Sequence, residues 1–211
     1  MDNLREPILR TGTTILGIVC KDGIVMASDR QITAGGSIVV GKKYPKTIQV
    51  NDYLLVSCTG MVSDAQKIVK ILPAELKLKQ LRSRSRPTVK QAANLLSTIL
   101  YSEIRQPSMI PMQVGVLIGG FNEDGTTELY SIEPSGSVIK IEDYDANFSS
   151  GMPYALGLLE RQYKKDMSIE EGKKLVAKAI HAATKRDIAS GGSGIDMAVI
   201  DPKGFKEVEE E

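Results

Sequence analysis

Hydrophobic periodicity in this chain changes in blocks: runs with a period of two come together, then runs with a helical period, then the same two blocks again. Residues 13–20 (TTILGIVC) and 24–29 (IVMASD) alternate as strands and meet at Asp22-Gly23, a dipeptide that favours a tight hairpin. Two further strands are predicted over residues 46–50 and 53–58, turned at Asn51-Asp52. At Ser63 the period lengthens. Ser63 and Gln66 have the spacing of a capping box, and Ala65, Ile68, Val69, Leu72 and Leu76 fall on one helical face, with Pro73 predicting a kink. Val89, Ala92, Ala93, Leu96 and Leu100 mark a second helix, with Pro87 near its first turn. Strands resume over residues 113–121, 128–133 and 138–142, separated by EDGT and PSGS turn clusters. Two more helices follow, one over residues 153–163 and one opened by a Ser168/Glu171 capping box and carrying Val176, Ala179, Ile180 and Ala183. A strand over residues 195–200 is expected to close the domain, leaving the acidic EVEEE as a solvated end.

Strands and helices grouped in this way cannot wind into alternating βαβ units. Each sheet must instead bury one face on helices and the other on its fellow sheet. The expected fold class is α+β, a four-layer αββα sandwich of two antiparallel sheets flanked by helices. At 211 residues the chain suits one domain, long enough to bury about 70% of its unfolded surface.

Composition removes several function classes. With 27 Lys and Arg against 26 Asp and Glu, the net charge of +1 supplies no field for holding nucleic acid or anionic lipid. The longest apolar runs, at residues 114–120 and 195–200, are far short of the ~20 residues that cross a bilayer. The first twelve residues, MDNLREPILRTG, lack the apolar core of a signal peptide, so no export is expected. Cys20 and Cys58 lie in apolar, strand-like surroundings and make neither a disulfide framework nor a zinc site, which fits a reduced, cytoplasmic compartment.

The common catalytic constellations fail. His181 is the sole histidine and sits on an amphipathic helix beside Ile180, where a structural role is expected. No G-x-S-x-G, H-E-x-x-H, P-loop or paired-cysteine pattern occurs, and SGGSGID reads as a turn into the last strand. No cofactor or metal is expected. What remains is a threonine that carries its own base. A hydroxyl needs a nearby proton acceptor to attack, and the α-amino group of an N-terminal Thr, titrating near 8 when free, can serve. Such a site needs a Thr at a freed chain end on a rigid strand, a Lys beside its hydroxyl, and a carboxylate to hold the Lys. Thr13, Asp29 and Lys46 offer these parts, provided the hairpin register brings them together. A two-residue Asp22-Gly23 loop sets Thr13 opposite Ile32 and turns Asp29 to the other face. A three-residue Lys21-Asp22-Gly23 loop sets Ile15 opposite Asp29, on the side of Thr13, and is the register expected.

The chain resembles the β-type subunits of the archaeal proteasome, within the N-terminal nucleophile hydrolases. The likeness runs from residue 12 to about 201 and is carried by GTTILGIVCKDGIVMASDR, KTIQV after a basic pair, TGMVSDAQ, VGVLIGG, SSGMPYALGLLE and KRDIASGG. The resemblance implies the Ntn-hydrolase fold and a threonine-type endopeptidase with Thr13 as nucleophile. It also implies that Asp29 and Lys46 are the supporting pair, that Gly60 offers the oxyanion N–H, and that Ser150, Asp187 and Ser190 surround the Thr amine. It further implies autocatalytic removal of residues 1–12 to leave a mature domain of residues 13–211. The partners implied are α-type and other β subunits in stacked heptameric rings, unfolded polypeptide substrates and a regulatory ATPase. Positions matching the specificity pocket are Ile32, Tyr44, Ile48, Cys58 and Val62, an uncharged lining that implies a preference for large apolar side chains.

The sequence departs from the family pattern in places. Gln31 stands where Arg is usual, Pro45 intrudes in a loop one residue longer than usual, Ser149-Ser150-Gly151-Met152 replaces a G-S-G-S run, and Ile188 follows Arg186-Asp187. The longer loop leaves Lys43 as an alternative to Lys46. The departures keep open a catalytically silent β-type ring subunit. The TTI opening keeps open a bacterial-type two-ring threonine peptidase, against which KRDIASGG and YALGLLE stand.

Overall fold

The computed structural model describes residues 12–208. β1 (Ile15–Cys20) and β2 (Gly23–Asp29) form the predicted hairpin, but in neither register considered above. Cys20 pairs with Gly23 and Ile15 with Ser28, so the loop is Lys21-Asp22 and Asp29 lies across from Thr14. Contacts outside the hairpin explain the slip. The Lys21 N–H donates to the Met167 carbonyl at 3.0 Å, and the Asp22 carboxylate accepts the N–H of Ile169 at 3.0 Å. Both loop residues are thereby drawn out of the ladder towards the start of a later helix.

β3 (Ile32–Ala34) and β4 (Ile38–Gly41) form a small separate hairpin, turned at Gly35-Gly36, that periodicity did not reveal. β5 (Thr47–Asn51) and β6 (Leu54–Gly60) follow, their turn lying at Asp52-Tyr53, one residue later than expected. The Asn51 side chain accepts the Tyr53 N–H at 3.0 Å, which fixes that turn.

α1 (Val62–Ser83) begins one residue before Ser63, with Met61 at the N-cap and no side-chain cap, so the expected Ser63/Gln66 capping box is not formed. A tertiary contact anchors this end instead: the Met61 N–H donates to the Gln113 carbonyl and the Asp64 carboxylate accepts the Gln113 N–H. The helix runs unbroken through Pro73 and buries Ile68, Leu72 and Leu76. α2 (Val89–Ile104) opens with a Thr88/Gln91 capping box, Pro87 standing just outside it. Val89, Ala92, Ala93, Leu96 and Leu100 are its buried face, as their spacing predicts.

β7 (Val114–Phe121), β8 (Thr127–Ile132) and β9 (Val138–Ile141) fall where predicted. A short β10 (Tyr144–Asp145) was not legible beforehand. α3 (Met152–Gln162) and α4 (Ile169–Thr184) follow, the latter with both halves of the Ser168/Glu171 capping box formed. β11 (Ile195–Asp201) does not close the fold, because β12 (Gly204–Val208) pairs back on it. Glu207 and Val208 of the acidic segment therefore belong to an edge strand, while residues 209–211 lie outside the described residues.

The strands assemble as two antiparallel five-stranded sheets, ordered β10-β1-β2-β11-β12 and β5-β6-β7-β8-β9. Ile15, Ile24, Met26, Leu55, Leu117, Leu129 and Ala198 fill the space between them. α1 and α2 cover the outer face of the second sheet through Ile68, Leu72 and Leu96, and α4 covers the first through Val176, Ala179 and Ile180. This is the four-layer αββα sandwich expected from the block pattern. Among the described residues no helix is long and apolar enough to cross a membrane.

Candidate active site

One end of the sandwich gathers the polar residues that the core cannot solvate. Thr13, Asp29 and Lys46 are all buried there, with Asp29 0% and Lys46 6% exposed. Asp29 ends β2 in the first sheet, whereas Lys46 immediately precedes β5 in the second. Their side chains meet across the sandwich, Lys46 Nζ donating to Asp29 Oδ1 at 2.7 Å. Lys43, the alternative, is exposed.

Every lone-pair direction of Asp29 is used. Oδ1 also accepts the Thr14 N–H at 2.8 Å, and Oδ2 accepts the N–H groups of Gln31 at 3.0 Å and Gly191 at 2.9 Å. Four donors thus converge on this one buried carboxylate, three of them backbone N–H groups. Burial lowers the Lys46 ammonium below its usual range, and the Asp29 charge opposes that shift, followed by Asp196 and Asp187 at longer reach. Asp29 thus touches Lys46 through its side chain and Thr14, the neighbour of Thr13, through both side chain and backbone.

Thr13 stands at the head of β1, in a pocket with an empty volume of about 420 Å³ whose wall also contains Lys46 and Gly60. Its Oγ1 donates to the carbonyl of Gly12 at 2.7 Å. Its N–H donates to Ser150 Oγ at 3.0 Å, and Ser150 Oγ donates to Asp187 Oδ2 at 2.5 Å. Ser190 Oγ reaches the same Asp187 oxygen at 2.5 Å and lies 2.8 Å from Thr14 Oγ1. Ser150, Asp187 and Ser190 therefore form one network around the Thr13 nitrogen, supplied by the segment entering α3 and the segment leaving α4. Gly60 ends β6 with φ 105°, and a Cβ there would lie 2.0 Å from the Gln113 carbonyl oxygen. No other residue fits that position, so the strand can bend into the pocket beside Thr13 only through glycine.

Ile32, Tyr44, Ile48, Cys58 and Val62 all line the same pocket. Burial pushes the Cys58 thiol up to about 12, which keeps it a neutral, inert wall. The departures from the family pattern find places without disturbing this arrangement. The Gln31 side chain donates to the Ile188 carbonyl at 3.2 Å, and buried Ser149 donates to the Ala146 carbonyl at 2.6 Å. Pro45 lines the pocket between Tyr44 and Lys46.

Sequence reasoning missed two contributors. Thr14 touches both Asp29 and Ser190, tying the residue next to Thr13 into both networks. Asp196 accepts the Lys46 N–H at 2.9 Å and pairs with the Arg30 guanidinium. Its signal was an acid at the second position of an otherwise apolar strand, IDMAVI, where a surface charge does not belong.

Comparison with known proteins bears on the same residues. A family model described as Proteasome subunit matches residues 9–200. Proteasome subunit beta of Methanopyrus kandleri is 36% identical over 203 residues, 96% of this chain and 94% of that protein. Proteasome subunit beta of Methanococcus aeolicus is 40% identical over 195 residues, 92% and 87% of the two chains. The protein of the same name from Nanoarchaeum equitans is 40% identical over 196 residues, 93% and 96%.

Proposed function

Since this chain belongs to the proteasome family as a β-type subunit, we propose that it is a threonine-type endopeptidase acting on unfolded polypeptides, with Thr13 as nucleophile after residues 1–12 are removed. Residues 1–11 of that leader lie outside the described residues. The observation that carries the proposal is the buried Lys46–Asp29 pair, whose lysine lies in the wall of the pocket that holds Thr13. A desolvated ion pair is costly to maintain and contributes little net stability, so its place at a cleft that holds the Thr13 hydroxyl argues for chemistry.

Processing comes first. The Thr13 Oγ attacks the carbonyl carbon of Gly12, the Gly12–Thr13 C–N bond breaks, and the oxygen's proton passes to the departing nitrogen, leaving an ester. That step already frees the Thr13 amine; water then cleaves the ester, restoring the Thr13 hydroxyl and releasing the leader with a Gly12 carboxylate. The 2.7 Å contact between Oγ1 and the Gly12 carbonyl oxygen sets the hydroxyl beside that bond.

In the mature site the amine takes the proton from Oγ as it attacks a substrate carbonyl, and the Lys46 ammonium stabilises the developing alkoxide. The Gly60 N–H receives the oxyanion of the tetrahedral intermediate. The intermediate collapses to an acyl-enzyme as the amine returns its proton to the leaving peptide amine, and water releases the second product. Ser150, Asp187 and Ser190 hold the amine in register. The apolar lining favours a large apolar side chain before the cut. The setting is a ring assembly with α-type subunits in the cytoplasm, stacked as heptamers and fed by an unfolding ATPase.

Mass spectrometry of the assembled particle tests the reading directly. The mature chain is expected to start at Thr13, and Thr13→Ala is expected to retain the leader and abolish hydrolysis of peptides. An active particle whose Thr13 is still joined to Gly12 would overturn it.

A further inference from the structure

Taking Thr13 and Lys46 as the reactive pair, we propose that Asp196 is a positioning residue that fixes Lys46 from behind. Lys46 is held by a carboxylate at each end: Asp29 at Nζ, 2.7 Å, and Asp196 at its backbone N–H, 2.9 Å. The two acids come from neighbouring strands of one sheet, β2 and β11, with Asp196 paired opposite Ser28. Lys46 itself lies on the segment that leads into the other sheet.

The local sequence concentrates this tie on few groups. Pro45 has no N–H, so the backbone donors that tie the segment approaching β5 to the first sheet lie on either side of it. Tyr44 donates to the Arg30 carbonyl at 3.0 Å and Lys46 donates to Asp196. Arg30 in turn pairs with Asp196, and its own N–H donates to the Gly191 carbonyl at 3.0 Å. Asp196 is thus the point where the extended loop, the end of β2 and the approach to β11 are joined.

Asp196 does not line the pocket of Thr13. It faces a separate cleft, with an empty volume of about 1160 Å³, that shares Pro45 with that pocket as a common wall. Its action on the reaction is therefore through the place and charge of Lys46. The groups facing Lys46 are Asp29 from β2, Asp196 from β11 and Asp187 from the turn after α4, with Arg30 beyond Asp196. Loss of the Asp196 charge removes one of the three carboxylates that oppose the lowering of the ammonium by burial.

Peptide hydrolysis by assembled particles, followed from pH 6 to 10 with the mass of each chain recorded, tests the assignment. Asp196→Asn keeps the size and an acceptor for the Lys46 N–H, and its alkaline limb is expected to move to lower pH. Asp196→Ala loses the anchor, and its kcat is expected to fall about tenfold with KM held within about twofold. If the alanine variant fails to assemble, the asparagine profile decides alone. A wild-type alkaline limb in Asp196→Asn overturns the proposal while leaving the Thr13 reading intact. Wild-type particles that keep their leader and hydrolyse nothing overturn the Thr13 reading, and this one with it.

Discussion

At the scale of single residues, Lys46 and Asp29 impose opposite demands on the fold. Each is stable in the interior only while the other is present, because an uncompensated buried charge has no water to solvate it. Asp29→Ala is accordingly expected to lower unfolding free energy by about 3–5 kcal/mol, read from the denaturant midpoint. The pH dependence has a definite sign. Burial depresses the Lys46 amine below 10.5 in the folded chain, so above the folded value the unfolded chain binds the extra proton. The contribution of Lys46 is present above pH 10.5 and lost as the pH falls through the folded value. Compared with Lys46→Met, the wild type should gain relative stability as melting is measured at rising pH from 7 towards 10. In the sequence alone both charges read as strand-end surface residues; it is their joint match with Thr13 to the family pattern that marks them. Asp196 escaped notice because its link to Lys46 runs through a backbone N–H, which residue type does not reveal, and the acid in an apolar strand was its one signal.

At the scale of elements, the legible parts are those whose reasons are local. The Ser168/Glu171 pair forms the predicted capping box because serine and glutamate three apart can satisfy each other's backbone without outside help. Ser168→Ala is expected to cost about 1 kcal/mol, visible as a lower urea midpoint with an unchanged slope. The Ser63/Gln66 pair has the same spacing and forms no cap, since the backbone of Gln113 holds that end of α1 from another part of the chain. The hairpin register slipped for a like cause: Met167 and Ile169, well over a hundred residues away, claim the loop. The β3–β4 hairpin carried a Gly35-Gly36 turn signal but only three and four residues per strand, too short for alternation to stand out. It leaves Ile38 65% and Val40 62% exposed, so its apolar residues do not report on the core.

At the scale of the whole molecule, the order of strand and helix blocks was enough to give the layers, because few arrangements bury two sheets and four helices at once. It could not show that the site is split between the layers. Thr13 and Asp29 come from the first sheet, Lys46 and Gly60 from the second, and Ser150, Asp187 and Ser190 from segments bordering α3 and α4. The relative placement of the sheets is set by the layer of Leu117, Leu129, Met26 and their neighbours. Leu117→Ala is expected to cost about 2–5 kcal/mol, measured by denaturation, although the residue lies outside the pocket.

The Oγ1 contact to the Gly12 carbonyl oxygen joins this geometry to the life of the chain. Under the proposed chemistry the first bond to be cut lies inside the machinery that cuts it, and that machinery exists only when both halves of the sandwich have closed on each other. The leader is then a tally of maturation: a chain that has lost it has been folded, and a misfolded copy stays disarmed, carrying its own safety catch.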